Sequence, residues 1–291
     1  MSDLICRFAP SPNGFLHLGH AYSALMNARF SRDHDGLLLL RIENIDRERS
    51  KPRFEQALRE DLAWLGLDWP RPERRQSDFF GAYRTILDGL VGRGLAYPCF
   101  CTRGAIAAGI ADKPDWPRDP DGSPLYSGSC RELSPRRRAE RLAAGEKFTL
   151  RLDMARALAE VAAPLSYREF FEGETAQAMT ARPDLWGDVV IGRRDVPASY
   201  HLACVHDDFA QGITDVLRGL DLEPATGLHV LLQKLFGYPT PDYRHHRLVL
   251  DAEGKKLAKS KSSIPLRELR ASGVTARRVK DELSERMDVR W

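Results

Sequence analysis

Two short apolar runs, each followed by a stretch of helical periodicity, constrain the fold of this chain more than any other feature. Residues 4–8 are typical of a buried strand closed by a turn over residues 10–14, and residues 20–30 are typical of a helix. The apolar run Leu37–Ile42 predicts a second buried strand, and residues 54–65 carry apolar side chains on one helical face. Because alternating strands and helices favour parallel pairing, the sequence predicts an α/β fold with a Rossmann-type sheet.

The rest of the chain contains further predicted elements around one irregular stretch. Residues 98–135 are rich in Pro, Gly and Asp, so we expect a small irregular module there. A loop over residues 251–263 is rich in Gly and Lys. A strand is predicted at residues 148–152, a buried strand at 200–205 and a short strand at 246–250. Helices are predicted at residues 135–144, 228–236, 266–270 and 275–286.

Composition limits the classes of protein to which the chain can belong. With 291 residues and a net charge of +3, the chain can bury a large core and gives no overall charge signal for nucleic acid. No apolar run approaches the ~20 residues that cross a bilayer, and the N-terminus has no secretory pattern. We therefore expect a cytoplasmic protein with no membrane partner. Basic clusters at residues 136–138, 244–247 and 277–278 fit either a solvated surface or a nucleic-acid contact.

The motif His17-Leu18-Gly19-His20 lies where the first predicted strand gives way to its helix. The free N–H groups of a helix N-terminus favour an anion, and Gly19 lets the backbone approach one closely. The two imidazoles can donate to a phosphate as charge develops on it. The motif also occurs by chance, and a histidine at a helix start often caps the helix, so both interpretations stand for the motif alone.

A second motif, Lys256-Leu257-Ala258-Lys259-Ser260, lies in the predicted loop near the C-terminus. One interpretation is a flexible basic loop on the surface. The other is a mobile clamp whose two ammonium groups close over a pyrophosphate leaving group, with the main role assigned to Lys259.

The residues that precede the first motif make it much more specific. Residues 7–20, which begin Arg7-Phe8-Ala9-Pro10-Ser11-Pro12, closely resemble the start of glutamyl-tRNA synthetases. The two motifs in this order resemble the signature pair of class I aminoacyl-tRNA synthetases. The resemblance continues at residues 41–46, 197–203, 207–208 and 213–222, and it departs from the usual family residues at residues 44–45, 220 and 258.

This resemblance implies that the chain activates L-glutamate as an adenylate, with ATP and magnesium as substrate. Two arginines and one glutamate complement the two carboxylates and one ammonium of glutamate in sign and number. Without the resemblance, Glu43 could be a surface carboxylate, and Arg218 could form a structural ion pair with Asp215 or Asp221. The resemblance assigns catalysis to His17, His20 and Lys259, glutamate binding to Arg7, Ala9, Ser11, Glu43, Tyr200 and Arg218, and ATP binding to His17, Gly19, His20, Lys256 and Lys259.

Cys99, Cys101 and Cys130 place three of the five cysteines in the predicted irregular module. A disulfide framework is not expected in a cytosolic chain of this size, whereas thiolates suit zinc, and Tyr126 can add a phenolate as fourth ligand. Three cysteines without a histidine also fit free thiols in a loop. The resemblance favours a structural zinc ion, because shortened glutamyl-tRNA synthetases carry this Cys-x-Cys and Tyr-x-x-x-Cys pattern.

The short stretch after the second motif points to one branch of the family. Residues 264–291 leave no room for the large helical domain with which glutamyl-tRNA synthetases read the anticodon. The chain therefore resembles the truncated paralogues that form the adenylate without tRNA and attach glutamate to queuosine, at the wobble position of tRNA(Asp). We expect a monomer with a first catalytic half at residues 1–97, a zinc-bearing insert at 98–196, a second catalytic half at 197–263 and short C-terminal helices at 264–291.

Two other interpretations stay open at this point. One is an ordinary glutamyl-tRNA synthetase whose anticodon-reading domain is on another chain. The other is a paralogue that has lost catalysis and binds tRNA or regulates another protein. The presence of His17, His20, Lys259, Arg7 and Glu43 argues against the second of these interpretations.

Overall fold

The computed structural model describes residues 3–170, 175–251, 254, 257 and 264–291. The strands within these residues are β1 (Ile5–Phe8), β2 (Leu37–Ile42), β3 (Arg74–Arg75), β4 (Ala96–Cys99), β5 (Thr149–Leu152), β6 (Ser166–Glu169), β7 (Gln177–Thr180), β8 (Val190–Gly192), β9 (Asp215–Gly219) and β10 (Asp242–His246). The α-helices are α1 (Leu18–Asp33), α2 (Pro52–Trp64), α3 (Phe80–Gly92), α4 (Arg103–Ala108), α5 (Pro135–Ala143), α6 (Met154–Val161), α7 (Tyr200–Ala210), α8 (Ala225–Phe236), α9 (Leu266–Ala271) and α10 (Ala276–Met287).

Two adjoining sheets form the Rossmann-type core and confirm the predicted α/β fold. One has the strand order β1-β2-β3, and the other has the order β7-β6-β10-β9, with β7 antiparallel to its neighbour and the other pairs parallel. The sheets meet where the N–H of Thr214, just before β9, donates to the carbonyl of Ile5 at 2.9 Å. The carboxyl ends of β1 and β9 therefore lie on the same side, and ligands bind at such a junction in open α/β sheets.

Strands β1 and β2 can pair closely because a glycine precedes β2. A Cβ added at Gly36 would lie 2.9 Å from the carbonyl oxygen of Leu4, so only glycine lets β2 begin its pairing with β1 here. Leu37 then donates its N–H to the same carbonyl at 2.9 Å. Val279 and Leu283 of α10 are buried in the same hydrophobic cluster as β2 and α2, so the C-terminal helices pack against this half of the chain. Among the described residues, no helix is long and apolar enough to cross a membrane.

The middle of the chain forms a separate antiparallel sheet of β4, β5 and β8. The cysteine-bearing stretch begins at Cys99, the last residue of β4, and continues between β4 and β5, where it contains the short helix α4. Strands β6 and β7 also fall within residues 98–196 but join the sheet of β9 and β10. The boundaries at residues 97/98, 196/197 and 263/264 stay a prediction.

Two strand predictions are wrong. Residues 200–205, predicted as a buried strand, form the first half of helix α7, which begins after Ser199. The hydroxyl of Ser199 accepts from the N–H of Leu202 and caps the helix, and a fully buried helix shows no periodicity that separates it from a strand. The strand predicted at residues 246–250 lies earlier, as β10, and ends at His246.

Candidate active site

A cavity of roughly 620 Å³ opens at the carboxyl ends of β1 and β9. It brings together residues that are as much as 250 positions apart in the sequence, from Arg7 to Leu257. Lys256 and Lys259 lie outside the described residues, but Leu257 between them lines the cavity. The cavity is lined by every other residue predicted for catalysis, glutamate binding or ATP binding: Arg7, Ala9, Ser11, His17, Gly19, His20, Glu43, Tyr200 and Arg218.

His17 and His20 hold each other at the N-terminus of α1. The Nδ1 atom of His17 accepts from the N–H of Gly19 at 3.1 Å, and the Nδ1 atom of His20 accepts from the N–H of His17 at 3.3 Å. The pair thus forms a reciprocal cap on the helix. Because both Nδ1 atoms accept, each neutral imidazole carries its proton on Nε2, where it can donate to an anion. Capping and phosphate binding are therefore compatible in this motif.

Four buried charged side chains form a chain of ion pairs that reaches the cavity at Arg7 and Glu43. Arg7 donates through Nε to Asp208 at 2.9 Å, and Arg41 donates to Asp208 at 2.6 Å and to Glu43 at 3.1 Å. All four side chains are at most 8% exposed. Burial alone raises the pKa of Asp208, but the two guanidinium groups outweigh burial and lower it to about 2. The network thus fixes Arg7 beneath the cavity with its charge balanced by carboxylates.

Glu43 differs from Asp208 in its electrostatic environment. Burial raises the pKa of Glu43, against the opposing effect of Arg41 and Arg7. Glu43 follows β2 directly and lines the cavity, so it is a buried carboxylate beside a ligand-sized space and not a surface residue. A ligand ammonium would favour the ionised form of Glu43 and relieve part of the cost of burying it.

Arg218, near the end of β9, is held in a different way from Arg7. Its guanidinium donates to the ring nitrogens of His245 and His229 at 3.3 Å each, and to the hydroxyl of Thr226 at 2.7 Å. Within the described part of the chain it forms no ion pair with a carboxylate, and Glu169 lies behind the His245 ring, bonded to its Nδ1 at 2.7 Å. The possible structural pairing with Asp215 or Asp221 is not observed for Arg218. A ligand carboxylate can therefore be its direct counter-ion.

The histidines around Arg218 are kept neutral. Burial and the adjacent guanidinium lower the pKa of His245 to about 3, and the same causes lower the pKa of His229 well below its usual value. His229 in turn contacts His201 at 3.2 Å, and burial lowers the pKa of His201 to about 4. Tyr200 packs against both of these rings and lines the cavity. Neutral acceptors thus orient the guanidinium without neutralising its charge.

A separate cluster of cysteines lies at the junction of β4 with the irregular module. The sulfur atoms of Cys99, Cys101 and Cys130 all lie within 4.8 Å of one another. The sulfur of Cys101 is 3.6 Å from that of Cys130 and 3.4 Å from the hydroxyl of Tyr126. Zinc–sulfur bonds of about 2.3 Å in a tetrahedron place sulfurs roughly 3.8 Å apart, so the donor set fits a zinc ion.

Several residues of the site have no role assigned from the sequence. Arg41 and Asp208 lie in runs that resemble the family. Arg41 and Glu43 are two residues apart, which puts both on one face of a strand, and this spacing could have predicted that they pair. Thr226, His229 and His245 show no sequence pattern, because tertiary structure alone brings them to Arg218.

Comparison with protein families identifies one that matches nearly the whole chain. The family model described as tRNA synthetases class I (E and Q), catalytic domain, matches residues 3–279. A protein of Rhodobacter capsulatus named glutamyl-Q tRNA(Asp) synthetase is 44% identical over 281 residues, which cover 94% of this chain and 96% of that protein. A glutamate–tRNA ligase of Aquifex aeolicus is 36% identical over 274 residues, which cover 94% of this chain but 55% of the ligase.

Solved structures agree with these relatives. The crystal structure of a glutamate tRNA ligase from Elizabethkingia meningosepticum, in complex with its amino acid, matches with a TM-score of 0.70 and 27% identity. The match covers 89% of this chain and 52% of that chain. The chain therefore spans about half the length of the glutamate–tRNA ligases that it matches, and almost all of the Rhodobacter protein.

Proposed function

The chain belongs to the class I tRNA synthetases for glutamate and glutamine, and we propose that it attaches glutamate to queuosine at the wobble position of tRNA(Asp). As a member of this family it is a ligase that activates glutamate with ATP and transfers it. The finer assignment of the acceptor is supported by one observation: the chain is 44% identical to the Rhodobacter protein named for that reaction, over 96% of that protein's length.

The charges in the cavity support glutamate as the amino acid. Arg218 offers a guanidinium with no directly bonded carboxylate among the described residues, and Arg7 lies close by in its ion pair with Asp208. In our proposal these two arginines bind the carboxylates of glutamate, and Glu43 binds its ammonium group. Tyr200, Ala9 and Ser11 line the same space and complete the glutamate pocket.

Adenylate formation is the first chemical step that we propose. A carboxylate oxygen of glutamate attacks the α-phosphorus of ATP, an O–P bond forms, and the bond to the leaving pyrophosphate breaks. His17 and His20 donate from Nε2 to the phosphate oxygens, while the backbone near Gly19 at the start of α1 favours the same negative charge. Lys256 and Lys259 neutralise the departing pyrophosphate, and Mg²⁺ enters with ATP as part of the substrate.

A zinc ion held by Cys99, Cys101, Tyr126 and Cys130 would have a structural role. It would pin the start of the irregular module to the end of β4, since Cys99 belongs to that strand and the other three residues do not. In our proposal the ion takes no part in glutamate activation, because the residues of the catalytic step line a different part of the molecule.

Transfer of labelled glutamate tests this proposal directly. The enzyme is incubated with ATP, Mg²⁺ and three separate acceptors: tRNA(Asp) with queuosine, the same tRNA without queuosine, and tRNA(Glu). We expect labelling of the first alone, together with pyrophosphate exchange in the absence of any tRNA. Labelling of tRNA(Glu) would replace the proposal with an ordinary synthetase, and no pyrophosphate exchange would remove the enzymatic role.

A further inference from the structure

Two aromatic rings on the surface are each covered by an arginine. The rings of Phe15 and Phe54 meet edge to face, with centroids 4.9 Å apart. The guanidinium of Arg267 lies 4.5 Å from the centre of the Phe15 ring, and that of Arg53 lies 4.8 Å from the centre of the Phe54 ring. Both arginines are exposed and both rings are half-buried. We call these four residues the aromatic–arginine platform.

The two arginines of the platform have no carboxylate at ion-pair distance among the described residues, and Glu60 and Asp61 act on Arg267 only from farther away. Many exposed arginines of this chain pair with a carboxylate, as Arg136 does with Glu140 and Arg182 does with Asp184. Within the ranges that the structure describes, Arg53 and Arg267 form no such ion pair. An arginine stacked on a ring and lacking a carboxylate partner is suited to an anionic ligand that also carries flat rings.

The loop after β1 connects the platform to the active-site cavity. The loop after β1 lines the cavity at Ser11 and Asn13 and reaches Phe15 next. Four residues span at most about 14 Å when fully extended, so Phe15 lies within that distance of Ser11. The platform is also tied to the loop, because Lys51, just before α2, donates its N–H to the carbonyl of Pro12 at 3.3 Å.

We propose that the aromatic–arginine platform binds the single-stranded RNA nucleotides next to the nucleotide that receives glutamate. This inference rests on the proposed function, which requires one nucleotide of an RNA loop to enter the cavity. A nucleotide can enter only if its neighbours unstack, and the unstacked bases need another surface. Aromatic rings and arginines supply that surface in single-stranded RNA recognition, and the two guanidinium groups contact the phosphates between those bases.

The test is direct binding of RNA, measured by filter retention, which does not require glutamate transfer. The ligands are queuosine-containing tRNA(Asp), its excised anticodon stem–loop, and a blunt duplex of the same stem. We expect Arg53→Gln/Arg267→Gln to weaken binding of the tRNA and the stem–loop by roughly 10-fold, to reduce the salt dependence of binding, and to leave binding of the duplex unchanged. Phe54→Leu, which keeps apolar volume but removes the ring, should also weaken stem–loop binding.

Arg29→Gln/Arg32→Gln is the matched control for loss of two surface charges. The side chains of Arg29 and Arg32 are 39% and 65% exposed and pair with Asp33, and Arg32 lies about 18 Å along α1 from His20. Equal binding by the two double variants overturns the platform, as does an equal loss of stem–loop and duplex binding. If the wild type glutamylates tRNA(Glu) instead, the proposed function fails. The same comparison of wild type and double variant, made with the 3′ end of that tRNA, then tests whether the platform binds RNA.

Discussion

Asp208→Asn is the substitution that best tests how the buried charges of the site are held. The side chain keeps its shape, but the network of Arg7, Arg41 and Glu43 changes from two positive and two negative charges to two positive and one negative. The amide oxygen of asparagine can still accept from Arg41 at 2.6 Å and from Nε of Arg7 at 2.9 Å, because both donate to the same oxygen of Asp208. Its NH₂ group replaces the second oxygen, which accepts from Nη2 of Arg7 at 3.5 Å, so a donor then faces that N–H group. The substitution therefore leaves an arginine buried without its counter-ion.

The magnitude follows from the position of the Asp208 carboxyl between two guanidinium groups. Its pKa falls from 3.8 to about 2, and at about 1.4 kcal/mol per pKa unit this corresponds to about 2–3 kcal/mol of stability at neutral pH. Breaking a buried ion pair by removing one partner typically costs about 3–5 kcal/mol. We therefore expect the free energy of unfolding to fall by roughly 2–5 kcal/mol, and the KM for glutamate to rise about tenfold as Arg7 loses its orientation.

Urea unfolding of the wild type and of Asp208→Asn at pH 7 measures this loss. Asp184→Asn is the matched control, since Asp184 pairs with Arg182 through two bonds of 2.9 and 2.7 Å, but both side chains are about half exposed. An exposed pair of this kind is expected to contribute less than about 1 kcal/mol. If Asp208→Asn costs no more than Asp184→Asn, the claim that the buried network stabilises the site is wrong.

Four further results are expected. Because the pKa of Asp208 is lower in the folded state, ionised Asp208 should stabilise the fold fully above about pH 4, and this stabilisation should be lost towards pH 2. The difference in free energy of unfolding between the wild type and Asp208→Asn should therefore vanish near pH 2, and a difference that stays constant with pH contradicts this. Arg218→Met should raise the KM for glutamate by about 100-fold in pyrophosphate exchange and leave the KM for ATP near its wild-type value, and an equal rise in both would mean that the pocket is misassigned. Lys259→Ala should slow exchange by about 10²-fold through loss of leaving-group stabilisation, and an unchanged rate rejects that role. Metal analysis should find about one zinc per chain in the wild type and less in Cys101→Ser, whereas native protein without zinc removes the site.

The sequence predicts the strand–loop–helix unit of the site because its signals are local. The run before Ala9 is apolar on both faces, the turn residues follow at once, and the helix begins beside His17. β2 matches its predicted bounds of Leu37–Ile42 for the same reason. The carboxyl ends of two parallel strands necessarily lie together, so Arg7 and Glu43 could be placed near each other without coordinates.

The sequence could not predict the elements whose environment is set by distant residues. Helix α7 begins with Tyr200 and is buried on nearly all sides between Leu202 and Val205, so it lacks the polar face that distinguishes a helix from a strand. The hydrogen-bond acceptors around Arg218 come from β10 and α8, which are separate segments of the chain from β9. Their convergence depends on the order of strands in the sheet, and no single segment carries that information.

In our proposal, the contrast between the two arginines of the cavity gives a physical reason for selecting glutamate over glutamine. Arg7 already has Asp208, so a ligand adds little to its charge balance. Arg218 is bonded directly to two neutral imidazoles and a hydroxyl, and Glu169 is separated from it by the His245 ring. A carboxylate ligand would give Arg218 a direct counter-ion, whereas a carboxamide would leave a buried guanidinium facing a neutral group at a cost on the order of 3 kcal/mol. Discrimination therefore depends on His245 and His229 staying neutral, because a protonated ring would repel the guanidinium that it is there to orient.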